Sequence, residues 1–511
     1  MAEPITYLTT TIPYVNASPH VGHALELVQA DVLARHYRRR GHRVRFQTGT
    51  DDNSLKNVLA ARAEGVSTAD LVDRNAATFA ALREPLALSF DEFVRTSRDP
   101  RHRPGVERLW RQCAQSGDLY RKHYEGRYCV GCEQFYTEAE LVAGRCPEHG
   151  TEPHLVAEEN WFFRLSRYQD QLYELISTGR LRIEPAARRN EVLAFVAAGL
   201  EDFSISRSRA RAHGWGIPVP DDPDQVIYVW WDALGNYLTT LDYATDGEPY
   251  RQWWVAGDHR VHLLGKDVTR FHAIYWPAML LSAGQPLPTD IYVHGFLTVA
   301  GERISKSGGN SVDPVSLVQR YGVDAVRWWL LREVPRVGDA DFTEERLAAR
   351  ADTDLANGLG NLVNRTVSMV HRYRDGVVPA GPSATSSGAA AEAPARTLAE
   401  VPALVDAALA DFDFRTASGT VWAVVEAANR FVNDRQPWRL AGAEAAGDRA
   451  AEAELDAVLS TLVTTCRSVA AELAPFLPVA ADRIAAQLTA GTDGTGRLPA
   501  ATPLFRRSAD R

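Results

Sequence analysis

The chain has 511 residues, enough for about three or four domains with buried cores. Hydrophobic residues make up 45% and charged residues 24%, which excludes a disordered or fibrous protein. The opening residues Met1-Ala2-Glu3-Pro4 do not form a signal peptide, and no apolar run is long enough to span a bilayer, so we expect a cytoplasmic protein. The net charge of −9 does not exclude an RNA partner, because a local basic surface decides such binding.

The first predicted element is a strand that leads through a loop into a helix. Residues Ile5 to Thr11 are rich in β-branched side chains and alternate as a strand does. Ser18 suits the N-cap of the helix, Pro19 its first position and Gly41 its end. The apolar residues expected on its buried face are Val21, Leu25, Val28 and Val32.

Two histidines stand at the start of this helix, in the run Pro19-His20-Val21-Gly22-His23. His20 and His23 are three residues apart, so they share one face of the first turn, where unpaired N–H groups and the helix dipole favour an anion. Gly22 leaves room for a flat ligand close to the backbone. The run predicts a phosphate-binding platform, and two ordinary surface histidines are the alternative.

Three cysteines and a histidine form the next pattern, as the pairs Cys129–Cys132 and Cys146–His149. Two pairs with this spacing can converge on one tetrahedral zinc ion, each wrapped in a tight turn. The ligand set leaves no vacant position, so the pattern predicts a structural Zn²⁺, one per chain. A redox Cys-x-x-Cys is the alternative, and the second pair disfavours it.

Other residues around this pattern have simpler interpretations. Glycines that suit the turns are Gly131, Gly144 and Gly150. His154 and His123 are reserve candidates for the fourth ligand. Cys113 and Cys466 stand alone, and we expect them to pack as small apolar groups.

A lysine on a glycine-flanked loop follows much later in the chain. Tyr292 to Thr298 has the pattern of a strand, and glycines at Gly301 and Gly308-Gly309 bracket the run Ser305-Lys306-Ser307. Such a lysine can close over a triphosphate and supply a positive charge where negative charge develops. A solvated basic loop is the alternative.

From Leu355 onward the pattern is nearly all helical. Apolar residues recur at three- and four-residue spacing, as in Val421, Val424, Val425, Ala428 and Val432. The Ala-, Pro-, Ser- and Gly-rich stretch from Gly376 to Thr397 indicates a mobile surface loop. We expect the tail beyond about Gly491 to be disordered or loosely docked.

Taken together, these motifs resemble a known family. His-Val-Gly-His at 20–23 and Arg-Ile-Ser-Lys-Ser at 303–307 resemble the two signatures of class I aminoacyl-tRNA synthetases. The resemblance to the methionyl-tRNA synthetases runs from Thr6 to about Trp438. The stretches that carry it are Thr48-Gly49-Thr50-Asp51, Tyr228-Val229-Trp230-Trp231-Asp232-Ala233-Leu234, Gly265-Lys266-Asp267, Val293-His294-Gly295 and Gly360-Asn361-Leu362-Val363-Asn364-Arg365.

The resemblance implies an α/β fold with a Rossmann-like, doubly wound parallel sheet, split by a zinc-containing connective insertion and followed by an all-α anticodon-binding helix bundle. The expected divisions are a catalytic domain in two halves, 1–116 and 226–298, and the insertion, 117–225. A stem-contact segment, 299–354, carries the lysine loop. The helical domain, 355–490, and a tail, 491–511, follow, and the absence of an appended module predicts a monomer.

The implied reaction is the ATP-dependent ligation of L-methionine to tRNA(Met) through methionyl-adenylate. His20 and His23 would hold the phosphates as charge builds on the phosphorus. Lys306 would bind the departing pyrophosphate, with Arg303 as a second cation and Mg²⁺ neutralising the remaining charge. The implied ATP-binding set also includes Gly22, Ser305 and Ser307.

The resemblance also implies a methionine pocket, in which Asp51 takes the ammonium group. Tyr14 and His272 would meet the sulfur, and Trp230 would close over the methyl end. The residues matching the family's pocket are Ile12, Tyr14, Asp51, Trp230, Ala233, Leu234, Tyr237, Val268 and His272. Core packing is the alternative for Trp230, Tyr237 and Val268.

Four residues match the family's anticodon-binding positions. Asn361 and Arg365 are four residues apart on one helix face, and Pro437-Trp438 ends another helical stretch. By resemblance they read the CAU anticodon, with the tryptophan stacked on an unpaired base. Trp438 as a plug of the helix bundle is the alternative.

Two stretches depart from the family pattern. Asp52-Asn53-Ser54 stands where Glu-His-Gly is common, and Arg303-Ile304 stands in place of Lys-Met. They raise the possibility of a specialised copy of the enzyme, for instance an inhibitor-resistant one. A small cytidylyl- or adenylyltransferase, another class I synthetase such as the cysteinyl one, and a non-catalytic RNA-binding paralogue are further alternatives.

Overall fold

The computed structural model describes residues 3–131, 134–148, 150–304, 311–380, 392–491 and 496–505. The chain divides into two compact units. The first unit comprises Met1–Arg83 and Leu88–Gly295, and the second comprises Glu84–Ala87 and Phe296–Arg511.

The strands of the first unit fall into three sheets. In chain order they are β1 (Ile5–Thr10), β2 (Arg43–Thr50), β3 (Glu92–Arg95), β4 (Leu119–Cys129), β5 (Gln134–Tyr136), β6 (His154–Phe163), β7 (Arg182–Glu184), β8 (Phe203–Ser204), β9 (Ser206–Ser208), β10 (Pro218–Val219), β11 (Asp222–Ile227), β12 (His259–Gly265) and β13 (Asp290–His294).

Eight α-helices accompany these strands in the described part of the first unit. They are α1 (Val21–Arg39), α2 (Leu55–Glu64), α3 (Thr68–Ala80), α4 (His102–Gln115), α5 (Gln169–Ser177), α6 (Ala186–Ala197), α7 (Val229–Thr239) and α8 (Trp276–Ser282).

The central sheet has six strands in the order β3-β2-β1-β12-β13-β7, and every neighbouring pair is parallel. β1 lies in the middle and is buried along almost its whole length, as expected of a strand with helices on both faces. The chain winds from β1 outward to β3 and later returns to β12 on the other side of β1. The strand order therefore reverses between β1 and β12, and in such sheets ligands bind at the carboxyl ends of the strands at that point.

The insertion adds two small antiparallel sheets, in the orders β5-β4-β6-β8 and β10-β11-β9. β7 lies within the range 117–225 that the sequence assigned to the insertion, yet it forms an edge of the central sheet beside β13. A strand of three residues is too short to show a pattern in the sequence, so this pairing could not be predicted.

Helix α1 begins two residues later than its predicted first position. His20, not Ser18, is the N-cap, and its side chain accepts a hydrogen bond from the backbone N–H of Gly22. The four apolar residues predicted for the buried face are fully buried, and Gly41 has a positive φ of 82° just beyond the end. The prediction of Ser18 and Pro19 was wrong because a histidine nitrogen replaces the usual hydroxyl as the capping acceptor.

The second unit is mainly helical. Its strands are β14 (Leu297–Val299), β15 (Glu302–Arg303) and β16 (Ala340–Asp341). Its helices are α9 (Pro314–Tyr321), α10 (Val323–Arg332), α11 (Glu344–Arg350), α12 (Asn361–Arg374), α13 (Glu392–Ala410), α14 (Phe414–Arg435), α15 (Pro437–Ala445), α16 (Arg449–Leu473) and α17 (Pro478–Leu488). None of the described helices of either unit has the length and apolar character needed to cross a membrane.

Two further sequence predictions, of a strand and of a loop, need correction. The single strand predicted from Tyr292 to Thr298 is two strands, because β13 ends at His294 in the central sheet and β14 pairs with β15 and β16 in another sheet. The loop predicted up to Thr397 ends earlier, since α13 begins at Glu392; residues 381–391 lie outside the described residues.

The tail is not loosely docked over residues 496–505. Leu498 and Leu504 are buried, and the backbone N–H of Leu498 donates to the carbonyl of Gly376 at 2.8 Å. Two buried leucines provide the apolar area that holds this segment in place.

Candidate active site

Several sequence-predicted methionine-binding residues lie just beyond the carboxyl ends of the central strands. Ile12 and Tyr14 follow β1, Asp51 follows β2, and Val268 and His272 follow β12. An isolated parallel bridge pairs Tyr14 with Asp51. The topology thus brings residues from distant parts of the chain to the point where the strand order reverses.

His20, Gly22 and His23, the predicted nucleotide platform, lie at the N-terminus of α1. The Nδ1 atom of His20 accepts from the N–H of Gly22 at 3.1 Å, and the Nδ1 atom of His23 accepts from the N–H of His20 at 3.1 Å. The two rings stack with centroids 3.9 Å apart. A Cβ on Gly22 would lie 2.9 Å from the His20 ring, so the glycine makes room for this imidazole.

The hydrogen bonds of the platform fix where its protons lie. A ring nitrogen that accepts a hydrogen bond carries no proton, so each of these imidazoles holds its proton on Nε2. Burial, together with the neighbouring His20, lowers the pKa of His23 well below its usual value, so His23 is neutral at pH 7. The platform therefore offers Nε2–H donors to an anion, and His23 adds no positive charge.

The predicted methionine residues meet around Trp230 on α7. The Trp230 ring lies 6.2 Å from the Tyr14 ring in an edge-to-face arrangement and 3.8 Å from the Phe271 ring in a parallel stack. Ile12, Ala233 and Trp230 form a small apolar cluster with Val94. The buried indole N–H of Trp230 has no hydrogen-bond partner in the described part of the chain. Leu234 lies in the large core of the first unit.

His272 also lies near Trp230, with ring centroids 6.3 Å apart in an edge-to-face arrangement. A π-helical turn, Phe271–Tyr275, carries it. Its Nδ1 atom is 3.0 Å from the carbonyl oxygen of Val268, which can only accept, so the proton lies on Nδ1. Its Nε2 atom then accepts a hydrogen bond from the Tyr237 hydroxyl, which is 2.8 Å away. Burial lowers the pKa of His272 to about 4, so the ring is neutral at pH 7.

Asp51 opens a loop that several side chains hold in place. It is 1% exposed, and its Oδ1 atom accepts from the backbone N–H of Asn53 at 3.0 Å. Asn57 donates to the carbonyl oxygens of Asp51 and Asp52 at 3.0 and 2.9 Å. Asp52 pairs with Arg95 at 2.9 Å. Its pKa is raised by burial, against the opposing effects of Ser97 and Arg95.

Sequence reasoning missed a buried pair beside this site. Glu26 on α1 and His294 at the end of β13 approach to 2.9 Å, and the other oxygen of Glu26 accepts from the backbone N–H of Thr11 at 2.7 Å. Although burial opposes it, the carboxylate of Glu26 raises the pKa of His294. The stretch Val293-His294-Gly295 signalled this position, but nothing in it pointed to Glu26.

The lysine loop is described only in part. Ser305, Lys306 and Ser307 lie outside the described residues. Arg303 belongs to β15 of the second unit, where its guanidinium lies 4.2 Å from the centroid of the Phe296 ring. Asp341 closes the turn before β15, because its Oδ1 atom accepts from Thr298 and from the N–H of Gly301.

Two of the four predicted zinc ligands belong to the described residues. Cys129 and Cys146 are each 1% exposed and share a small cluster with Tyr136. Cys132 and His149 lie outside the described residues. Among the described residues no group of three or more His, Cys, Asp or Glu side chains could hold a metal ion. The reserve candidates His123 and His154 are exposed on β4 and β6.

The predicted anticodon residues lie on two helices of the second unit. Asn361 and Arg365 belong to α12, and Pro437 and Trp438 begin α15. Both helices pack against α16. The Trp438 side chain is 46% exposed, so it does not plug the bundle, whereas Pro437 is buried.

Comparison with known proteins gives a consistent result. A family model described as tRNA synthetases class I (M) matches residues 6–155 and 148–367. A methionine–tRNA ligase of Mycobacterium bovis is 44% identical over 489 residues, which cover 94% of this chain and 91% of the relative. A methionine–tRNA ligase of Brucella suis is 39% identical over an alignment of 525 positions, which covers 98% of this chain and 97% of the relative.

Solved structures agree with these matches. Mycobacterium tuberculosis methionyl-tRNA synthetase in complex with methionyl-adenylate superposes with a TM-score of 0.92 at 40% identity, covering 99% of this chain and 100% of that one. The apo form of the same protein gives a TM-score of 0.85 at 37% identity, covering 99% of each chain.

Proposed function

We propose a role for each predicted site residue from the premise that the chain belongs to the methionyl-tRNA synthetase family of class I aminoacyl-tRNA synthetases. It activates L-methionine with ATP and transfers the methionyl group to tRNA. The observation that carries this function is the match, over nearly the whole chain, to an enzyme bound to methionyl-adenylate.

In the activation step, a carboxylate oxygen of methionine bonds to the α-phosphorus of ATP, and the bond to the bridging oxygen of pyrophosphate breaks. Negative charge increases on the oxygens of the five-coordinate phosphorus. The Nε2–H groups of His20 and His23 donate to these oxygens or to the neighbouring phosphate, and the N-terminus of α1 adds its dipole. Neutral donors suit this role because their protons are fixed before the reaction begins.

Lys306 and Arg303 bind the leaving pyrophosphate, with Ser305 and Ser307 beside them. Mg²⁺, which accompanies ATP, neutralises part of the triphosphate charge when bound. In the second step a ribose hydroxyl of the terminal adenosine of tRNA attacks the carbonyl carbon of methionyl-adenylate, and AMP leaves with the phosphate oxygen. These roles rest on the family motif, since Lys306 lies outside the described residues.

The methionine side chain occupies the space bounded by Tyr14, Trp230 and His272, and the ammonium group pairs with Asp51. A thioether offers a weak acceptor and a polarizable surface, so aromatic faces and one hydrogen bond are the available means of recognition. Both nitrogens of His272 are engaged, one with Val268 and one with Tyr237. His272 therefore orients Tyr237 and contacts the ligand with ring carbon, while the hydroxyl of Tyr14 is the hydrogen-bond donor to sulfur.

The remaining pocket residues provide shape. Ile12 and Ala233 pack against Trp230 and set the width of the methyl end. Leu234 and Val268 support the pocket from the large core. Core packing and methionine binding do not exclude each other for Trp230 and Tyr237, because each is both a packed side chain and a ligand contact.

A structural zinc ion held by Cys129, Cys132, Cys146 and His149 is part of this proposal. Two buried cysteines that share one small cluster are what such a site requires of its described half. The N–H of Gly150 donates to the carbonyl of Cys146 at 2.8 Å. When bound, the metal would stabilise the insertion, since three thiolates and an imidazole leave no position for a substrate.

Asn361, Arg365, Pro437 and Trp438 bind the anticodon of tRNA(Met). The exposed indole of Trp438 is available to stack on an unpaired base, and the polar groups of α12 can meet base edges. We further propose that the enzyme acts as a cytoplasmic monomer. The six segments expected from the sequence remain part of the proposal, with β7 of the insertion completing the central sheet.

The direct test is ATP–pyrophosphate exchange with each amino acid in turn. We expect exchange with methionine and little with any other amino acid, followed by charging of tRNA(Met). Absence of methionine-dependent exchange from folded, zinc-loaded protein would overturn the proposal and favour a non-catalytic RNA-binding paralogue.

A further inference from the structure

We propose that Asn53 is a positioning residue for methionine: it ties the loop that carries Asp51 to α7, the helix that carries Trp230. This inference rests on the proposed methionine site. It assigns a role to one of the positions where the chain departs from the family pattern.

The geometry places Asn53 between two buried carboxylates. Its backbone N–H donates to Oδ1 of Asp51 at 3.0 Å, and its side-chain amide donates to Oδ2 of Asp232 at 2.7 Å. Asp51 and Asp232 are each 1% exposed. Asn53 thus donates its backbone N–H to Asp51, the carboxylate proposed to bind the ammonium group. It donates its side-chain N–H to Asp232 on α7.

Asp232 is held from a second direction as well. Its Oδ1 atom accepts a hydrogen bond from Nε2 of His102, and the other nitrogen of that buried ring lies 2.9 Å from the hydroxyl of Thr239. A buried carboxylate is stable only when its oxygens receive donors. Asn53 and His102 each serve one oxygen, so loss of the Asn53 amide leaves half of Asp232 without its donor.

The position of Asp232 on α7 links this carboxylate to the pocket. Trp230 and Ala233 are its near neighbours on the helix, and both belong to the apolar cluster of the pocket. A change in how Asp232 is held therefore moves the side chains that enclose the methyl end of methionine. The same change alters the distance between these side chains and Asp51.

The rest of the loop does not depend on the Asn53 side chain. Asn57 holds the carbonyl oxygens of Asp51 and Asp52, the Trp215 indole donates to Asp52 at 2.8 Å, and Arg95 pairs with the Asp52 carboxylate. We therefore expect variants at position 53 to fold.

The test exchanges the two partners. In Asn53→Asp a carboxylate faces the carboxylate of Asp232, and we expect the KM for methionine in pyrophosphate exchange to rise about tenfold or more. The KM for ATP and the kcat should change much less, because the platform is untouched. In the double variant Asn53→Asp with Asp232→Asn, the amide at position 232 can donate to the carboxylate at position 53 while its oxygen still accepts from His102. We expect the methionine KM to return to within about threefold of the wild-type value.

Two further variants make the result decisive. Asn190→Asp, the same change at an exposed position on α6, should leave both KM values unchanged. Asn53→Ser removes the amide without adding charge, keeps the test open if the aspartate variant fails to fold, and should raise the methionine KM about fivefold. An unchanged methionine KM in Asn53→Ser or Asn53→Asp, or a double variant no better than Asn53→Asp, would overturn the inference. Lack of methionine-dependent exchange by the wild type would instead overturn the proposed function.

Discussion

The proposed nucleotide platform and the proposed methionine pocket lie at the same edge of one sheet, but they are built in different ways. In the platform, His20 and His23 are held by backbone N–H groups of a single helical turn. In the pocket, Tyr14, Trp230 and His272 are held by contacts between side chains more than two hundred or about forty positions apart in the sequence.

This difference has a functional consequence. The platform depends mainly on hydrogen bonds within one helical turn, with the Phe79 ring packed against His23 at 5.1 Å, so a substitution there chiefly removes a donor. The pocket depends on packing and on neutral buried groups, so a substitution there changes the fit of a ligand. We therefore expect variants of the platform to affect the rate of activation and variants of the pocket to affect methionine binding.

The largest effect is expected for His23→Ala. Removing one preorganised donor to the reacting phosphate should lower the kcat of methionine-dependent pyrophosphate exchange on the order of a hundredfold, with a small change in the KM for methionine. His213→Ala, a change at an exposed histidine of the insertion, serves as the matched control. A variant that loses methionine affinity and keeps its kcat would break the proposed division between platform and pocket.

The pH dependence of stability tests the neutral state of the pocket. Burial lowers the pKa of His272 to about 4, whereas an unfolded imidazole titrates near 6.5. Below about pH 6.5 the unfolded chain takes up a proton here that the folded chain does not, so the stability that this group contributes is complete above that pH and is lost as the pH falls toward 4. The loss is about 3 kcal/mol.

Urea unfolding of the full-length protein at pH 7 and pH 4.5 measures this loss of unfolding free energy. The wild type should lose more unfolding free energy than His272→Gln between the two pH values, because glutamine does not titrate. Equal losses in the two proteins would show that His272 is not a buried neutral group.

A change outside both regions should affect neither. Trp438→Ala removes an exposed aromatic ring in the second unit, and stacking on a base contributes about 1–3 kcal/mol. We expect the KM for tRNA(Met) in aminoacylation to rise on the order of tenfold, while pyrophosphate exchange without tRNA is unchanged. A fall in pyrophosphate exchange would show that Trp438 has a structural role instead.

The smallest effect is expected for Tyr14→Phe. A neutral hydrogen bond contributes about 1 kcal/mol, so loss of the hydroxyl should raise the KM for methionine about fivefold and leave the kcat nearly unchanged. Comparing methionine with norleucine, which lacks the sulfur, isolates the contact. The preference for methionine should decrease in the variant, and an unchanged preference would remove Tyr14 from sulfur recognition.

How much of the site the sequence could predict follows from the same contrast. His20 and His23 were predictable as a pair, because three-residue spacing fixes their relation within one turn. The exact cap was not, since Ser18 is the commoner choice and only the folded chain shows the imidazole of His20 in that role. Tyr14 and Trp230 were predicted from the resemblance to the family, because residue spacing cannot predict contacts between residues so far apart in the sequence.

The connections between side chains were not predictable at all. Asn53 was visible in the sequence only as a departure, and its partner Asp232 lies on a helix far along the chain. Glu26 likewise carries no sequence signal that pairs it with His294. These pairings depend on how α1, α7 and the central strands pack, which no local pattern records.

The most direct test of the account is a crystal structure of the protein with a stable analogue of methionyl-adenylate. We predict that the ammonium group lies on Asp51, the thioether lies between Tyr14 and Trp230, and the phosphate faces the Nε2 atoms of His20 and His23. A phosphate directed away from both imidazoles, or a methionine side chain outside the Tyr14–Trp230 space, would contradict it.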